Sequence, residues 1–339
     1  MKKFPRKTFL FTTVLILCVV CFYYDNLFSV KFMSKQNNQD EFLKFENILN
    51  ARVQPRHGQN VFFVESSDSV TLNARQCCAI ESAALANADL EIFVVFTSKE
   101  RLDRLNETEE LQTLFAYPNV HLHYLDIVEF SKASPLGDFI KRGQLNKSNH
   151  KTTHTSDVVR LLLLWMYGGT YLDLDVIVRR GLSSLPSNFA CPVTDSYLNT
   201  AILNLDTQDG KRIAETLMEY TSQYFNRNDA LSGQFLLTEV ARQLCNTTST
   251  SQMNFVDDCR GFHVLPRRMC YAVNNFHWEW LVQEEFAEDT LMRVVGSFIV
   301  HFWNGKTQNI KLKKDSKVAY VQLAKQHCPR VMQTSGEYF

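Results

Sequence analysis

Short apolar runs alternate along the chain with stretches in which apolar residues recur every three or four positions. That is the pattern of strands and helices taking turns. Val61 to Val64 predicts a first strand, about Asn73 to Asn87 a helix, Ile92 to Phe96 a buried strand and Val120 to Leu125 an alternating one. Ser156 to Gly169 predicts a helix that is apolar on nearly every face and stops at a glycine pair, and a further strand begins at Tyr171, with Asp173 and Asp175 where it leaves the sheet. Leu198 to Leu205 continues as a strand, followed by helices near Arg212 to Phe225 and Gly233 to Leu244, and Phe298 to Lys306 reads as an apolar strand ending at Asn304-Gly305. The alternation predicts an α/β fold with a mainly parallel, Rossmann-like sheet, in which ligands collect at the carboxyl ends of strands.

The N-terminal pattern is different. Lys2, Lys3, Arg6 and Lys7 precede an uncharged run from Thr8 to Tyr24, close to the lower limit of about 17 residues for a spanning helix. Positive residues ahead of the run predict a cytoplasmic tail over 1–7, a transmembrane signal anchor over 8–24 and a lumenal remainder. A cleaved signal peptide is the competing reading, but the run ends in Cys21-Phe22-Tyr23-Tyr24, bulky where a cleavage site has small residues. Polar, weakly periodic residues over 25–57 read as a stem with a short helix at Glu41 to Leu49, and 58–339 as one large lumenal domain.

Composition narrows the function classes. The 36 basic and 36 acidic residues cancel and no basic tract follows the anchor, so no nucleic-acid partner is expected. Nine cysteines less Cys18 and Cys21 leave seven beyond the anchor. Their spacing matches no zinc pattern and fits disulfides in an oxidising lumen, with at least one thiol left over. Asn106, Asn146 and Asn246 head N-glycosylation sequons, which agrees with that address. Glycine-rich dinucleotide and P-loop motifs do not occur.

The most informative chemistry lies in Tyr171-Leu172-Asp173-Leu174-Asp175. On an extended segment residues 171, 173 and 175 share one face, so both carboxylates would point the same way. Such a face is wet or holds a cation, and oxygen ligands suit Mg2+ or Mn2+ bound together with substrate phosphates. An Asp-x-Asp triplet alone is most often a pair of solvated acids. Its neighbourhood changes the weighing, because Asp157 and Arg160 lie one turn apart on the apolar helix just upstream. An unpartnered buried charge is strongly destabilising, so the two either pair with each other or face a polar ligand. His301 and Trp303 stand on alternate positions of the last strand, and on residue type alone such a histidine is more often a hydrogen-bonded core residue than a ligand.

The ordered blocks Ser156-Asp157-Val158-Val159-Arg160, Gly168 to Asp175, Leu198-Asn199-Thr200-Ala201 and His301-Phe302-Trp303-Asn304 resemble those of the Golgi α1,4-glycosyltransferase family, which holds α1,4-galactosyl- and α1,4-N-acetylglucosaminyltransferases. Phe62 to Ser67, Cys78 to Ala84 and Leu236-Leu237-Thr238 extend the likeness over nearly the whole lumenal part. The resemblance implies a GT-A-type fold, a UDP-sugar donor such as UDP-Gal or UDP-GalNAc, Mn2+ or Mg2+, and retention of the donor's α configuration. It implies a single-pass type II protein of the Golgi membrane. By position it carries over Asp173 and Asp175 as metal ligands and His301 as a metal or diphosphate contact. Asp157 and Arg160 carry over as catalytic and donor-sugar residues, as in glucosylating toxins that share the Gly-Gly-x-Tyr-Leu-Asp-x-Asp block, with Asn199 and Trp303 as further donor contacts. On this reading the charges of the apolar helix face a polar ligand.

Same-face residues of an ideal strand lie about 6.6 Å apart, whereas metal–oxygen distances are about 2.1 Å. One carboxylate can ligate directly, and two would need a bend. The expectation is that Asp175 ligates and Asp173 acts through water or on the ribose. No nucleophile for the β face can be assigned, which leaves front-face attack ahead of double displacement. The acceptor is expected to be a terminal sugar of a glycolipid or glycoprotein. The alternatives are an N-acetylglucosaminyl-, mannosyl- or glucosyltransferase of the same fold, and a non-catalytic lumenal carbohydrate-binding or chaperone protein.

Overall fold

The computed structural model describes residues 45–69, 71–97, 108–229, 232–254, 256 and 259–339. The expected tail, anchor and most of the stem, with Asn106, lie outside them. Among the described residues no helix is long and apolar enough to cross a membrane. The compact unit spans Glu46–Phe339, so residues 46–57, expected in the stem, are part of it. Ile48 is fully buried and its N–H bonds the Tyr124 carbonyl. Residues 46–50 form a bridge and a turn, not the end of the short helix expected there.

The described strands are β1 (Asn60–Glu65), β2 (Glu91–Phe96), β3 (Val120–Tyr124), β4 (Gly169–Leu172), β5 (Val176–Val178), β6 (Phe189–Pro192), β7 (Leu198–Leu205), β8 (His263–Val264) and β9 (Ile299–His301). Seven of them form one sheet in the order β3-β2-β1-β4-β7-β6-β8, and β5 pairs with β9 in a second. The first four in that order run parallel, as the alternation predicts. β1 and β2 are continuous apolar runs because helices and chain cover both faces. The departure is β7, antiparallel to both β4 and β6. The sheet is mostly, not wholly, parallel.

Two local features aim the acid pair. The helix Lys151–Tyr167 begins a turn before Ser156 and ends at Gly168 and Gly169, both with positive φ (63° and 120°). A Cβ on Gly169 would come 2.4 Å from the Asn60 carbonyl oxygen, so only glycine lets β4 enter the sheet beside β1. β4 then stops at Leu172, and a turn through Leu174 and Asp175 separates it from β5. The acids therefore stand where a strand leaves the sheet, as expected, but the extended segment expected through Val176 is broken by the turn. The alternating apolar positions fit strand geometry on either side of the break, and what ends β4 is that β5 leaves its sheet to pair with β9.

Disulfides join Cys78 to Cys328, Cys191 to Cys270 and Cys245 to Cys259, and Cys77 is a buried free thiol. One thiol left over agrees with the odd count. Asn146 and Asn246 are exposed.

Candidate functional site

Antiparallel pairing sets Val176 opposite His301, which brings a histidine from the C-terminal quarter of the chain beside Asp175. His301 Nε2 lies 3.2 Å from Asp175 Oδ1 and 4.0 Å from Asp173 Oδ2. Trp303 adopts a left-handed backbone (φ 55°, ψ 58°) that turns the chain directly afterwards. Its N–H then meets His301 Nδ1 at 3.1 Å, and the Asn304 N–H donates to Asp175 Oδ2 at 2.7 Å. The imidazole is thereby held with Nε2 towards the acids. One ligand atom from each of Asp173, Asp175 and His301 falls within 4.8 Å of the others.

The electrostatics of the three are unequal. Burial lifts Asp175 above the ordinary carboxyl value against the pull of His301. Burial acts the same way on Asp173, but Arg160 and His301 outweigh it and hold that carboxyl at about 2. His301 would be lowered by burial, yet Asp175 and Asp173 keep it above its ordinary value. Asp173 is the most open, its side chain 30% exposed against 11% for Asp175, so a ligand reaches the cluster from the Asp173 side. Two carboxylates and an imidazole gathered this closely fit a divalent ion of the Mg2+ or Mn2+ kind. The turn at 174–175 supplies the bend that ligation by both acids requires, and removes the geometric reason for assigning Asp173 an indirect role.

Beside the cluster, Arg160 is held on all sides. It donates from Nε to the Ser156 carbonyl at 3.2 Å, from Nη1 to Thr200 Oγ1 at 2.9 Å and from Nη2 to Ser156 Oγ at 3.0 Å, and lies 4.3 Å above the Tyr171 ring. Its Nη2 is also 3.1 Å from Asp157 and 3.5 Å from Asp173. Tyr171 takes a bond from Ser156 at 2.9 Å and donates to Asp173 at 2.7 Å. Asp157 and Arg160 thus pair with each other. Burial still raises Asp157 above its ordinary value, with Arg160 opposing. A cavity of about 20 Å³, lined by Asp157, Arg160, Thr200 and Gly233 among others, adjoins the pair and has room for about one water.

The structure thus brings together Asp157, Arg160, Asp173, Asp175 and His301. Trp303 joins them by packing: its ring is 4.3 Å from that of His301 and its indole N–H donates to the Val273 carbonyl at 3.0 Å. Asn199 is buried on β7 with Oδ1 accepting the Ala201 N–H at 2.9 Å. That bond is to its own strand and makes no link to the cluster, whereas its neighbour Thr200 bonds Arg160. Ser156, Thr200, Tyr171 and Tyr271 are the residues that sequence reasoning left out of the site. Ser156, Tyr171 and Thr200 lay inside the blocks already singled out, and the same-face spacing of Ser156 with Arg160 and of Tyr171 with Asp173 could have found the first two. Nothing in the local sequence marks Tyr271.

Two family models match the chain. The alpha 1,4-glycosyltransferase conserved region matches residues 206–335 and the glycosyltransferase sugar-binding region containing the DXD motif matches residues 73–190. Lactosylceramide 4-alpha-galactosyltransferase of Mus musculus is 29% identical over 273 residues, 80% of this chain and 74% of that protein. The Homo sapiens protein of the same name is 27% identical, covering 84% and 80%. Alpha-1,4-N-acetylglucosaminyltransferase of Homo sapiens is 26% identical, covering 81% and 80%. Among solved structures, galactosyltransferase LgtC in complex with donor and acceptor sugar analogs matches with a TM-score of 0.42 and 15% identity over 79% of this chain and 96% of that one, a level at which the fold rests on the sheet order itself.

Proposed function

The chain belongs to the α1,4-glycosyltransferase family, and on that premise we propose that it is a metal-dependent, retaining type II Golgi enzyme. It moves galactose or N-acetylgalactosamine from a UDP-sugar, in α1,4 linkage, to a terminal sugar of a glycolipid or glycoprotein. The observation that carries this reading is the convergence of Asp173, Asp175 and His301 on one point beside the Arg160 network. Those three residues would hold Mn2+ or Mg2+. When bound, such an ion offsets the negative charge that grows on the diphosphate as UDP leaves.

The other roles follow from the chain's own groups. Asp157 and Arg160 orient hydroxyls of the donor sugar bound beside them, so that a wrong epimer leaves one of these buried polar groups unpaired. Tyr171, Ser156 and Thr200 fix the guanidinium, which sets the position of Asp173 at the same time. As the bond from C1 to UDP breaks, its electron pair leaves with the phosphate oxygen. The acceptor oxygen forms the new bond on the same face and its proton passes to that phosphate oxygen, which requires no protein nucleophile. The anchor over 8–24 would place the domain in the Golgi lumen, with Asn106, Asn146 and Asn246 open to glycosylation.

Detergent-solubilised full-length protein with Mn2+, offered UDP-Gal, UDP-GalNAc and UDP-GlcNAc with β-galactoside and β-N-acetylgalactosaminide acceptors, tests the proposal. Transfer from UDP-Gal or UDP-GalNAc is expected, lost with EDTA. Transfer from UDP-GlcNAc alone would shift the assignment to an N-acetylglucosaminyltransferase, and turnover of no donor would sink the enzymatic reading.

A further inference from the structure

Tyr271 is a phenol buried at the edge of the acid cluster. It is 1% exposed, and its hydroxyl has no hydrogen-bond partner among the described residues. The ring lies 5.7 Å from that of His301 and 5.5 Å from that of Trp303. It is held from its backbone, not by its polar end: the preceding Cys270 is tied to Cys191 on β6, and the Tyr271 N–H donates to the Arg267 carbonyl at 2.7 Å. A buried hydroxyl without a partner is destabilising, and phenylalanine would fill the same space without that cost. Burial, and then the charges of Asp173 and Asp175, keep the phenol well above its ordinary pKa. The group is a neutral hydrogen-bond donor without an acceptor, packed against the rings of His301 and Trp303 beside the acid cluster. An anion that settles beside the cluster brings it the missing acceptor.

We propose that Tyr271 is a donor-site residue whose hydroxyl gives its hydrogen bond to an oxygen of the nucleotide diphosphate bound beside the metal ion that Asp173, Asp175 and His301 would hold. The inference rests on the UDP-sugar reading above and adds to it a residue from outside the acid, arginine and histidine blocks. The unsatisfied hydroxyl destabilises the empty protein and is satisfied on binding, so part of the affinity comes from relieving that penalty.

Tyr271→Phe removes a single oxygen and keeps the ring, and is read in the full-length protein. Without ligand the variant should melt at or above the wild type, because a structural role for a bonded hydroxyl would instead lower the melting temperature. With Mn2+ present, calorimetry should show UDP binding about tenfold weaker, and UDP-Gal weaker by the same factor. A lower melting temperature in the empty variant would overturn the inference, as would unchanged UDP affinity. A loss confined to UDP-Gal would move the contact to the sugar and overturn the diphosphate assignment. Wild-type protein that binds neither nucleotide would sink the UDP-sugar reading itself, so the two failures are distinguishable.

Discussion

Arg75 and Glu81, on the helix Ala74–Ala86, are as buried as Arg160 and Asp175 at the acid cluster, but their partners are of a different kind. Arg75 donates to main-chain oxygens of Thr307, Ile310 and Phe339. Glu81 accepts from the N–H groups of Arg330 and Val331 and from the Tyr117 hydroxyl. These two charges stitch the C-terminal segment to the helix, and they are saturated by it. At the cluster, Arg160, Asp157, Asp173, Asp175 and His301 also take hydrogen bonds from or give them to nearby backbone and hydroxyl groups, but each in addition lies against another ionisable side chain. A charge saturated by fixed backbone has nothing to offer a ligand. A charge held by other ionisable side chains keeps free lone pairs and can exchange partners when an ion arrives, which is why such clusters mark functional sites.

The comparison breaks most visibly at the acids. Asp173→Asn and Asp175→Asn should each cut transfer by a hundredfold or more, on the usual magnitude for groups that stabilise developing charge, and should lose Mn2+ binding in calorimetry. Their melting temperatures should stay near that of the wild type, because neither carboxylate is what holds the sheet together. A folded Asp175→Asn protein with near-normal turnover would remove the cluster from the mechanism.

A third treatment of a buried ionisable group is to keep it neutral, as at His123 on β3. Burial, reinforced by His121, lowers this histidine to about 4, against an unfolded value near 6.5. Between those values the unfolded chain binds the proton and the folded protein does not. The stability contributed by the neutral ring is thus complete above about pH 6.5 and is lost as pH falls towards 4, by about 2–3 kcal/mol. Urea denaturation at pH 7 and pH 4.5 should show that loss, and His123→Phe should flatten it. An equal slope in the variant would assign the acid sensitivity elsewhere.

Glu81→Gln sharpens the contrast. One carboxylate oxygen becomes an amide nitrogen facing a backbone N–H or the Tyr117 hydroxyl, which leaves buried donors opposed and costs about 1–3 kcal/mol. Denaturant melts should show that loss with Mn2+ affinity unchanged. A fall in metal affinity of more than a few-fold would mean the two regions are not separate.

Legibility in the sequence divides along the same line. β1 and β2 are readable because a strand covered on both faces is a nearly continuous apolar run, and β7 is buried at every position although Asn199, Thr200 and Asn204 interrupt its apolar residues. The break between β4 and β5 is not readable: Leu172, Leu174 and Val176 keep the alternation going, and what ends β4 is a partner strand near the far end of the chain. In the site, Asp157, Arg160, Asp173, Asp175 and His301 are visible because charge among apolar residues calls for a reason. Thr200 and Tyr271 are invisible because a threonine or tyrosine in a buried strand or loop is ordinary, and only the folded arrangement shows Thr200 on Arg160 and a phenol without a partner.

The mildest test acts through space alone. Gly233 opens the helix Ser232–Cys245, and a Cβ added there would lie 2.8 Å from Asp157 Oδ2 and 2.9 Å from its Cγ. Real contacts are not that short, so something must move. Asp157 cannot swing away freely, because Arg160 holds its other oxygen at 3.1 Å and is itself fixed by Ser156 and Thr200. Gly233→Ala should therefore displace the carboxylate or the first turn of the helix by a few tenths of an ångström. Misplacement on that scale in an orienting group should cost about tenfold in kcat. The metal cluster is reached only through Arg160, so Mn2+ affinity should be unchanged. A matched drop in metal affinity would show that Asp157, Arg160 and the acids move as one unit. An unchanged kcat would show that Asp157 does not orient the donor sugar.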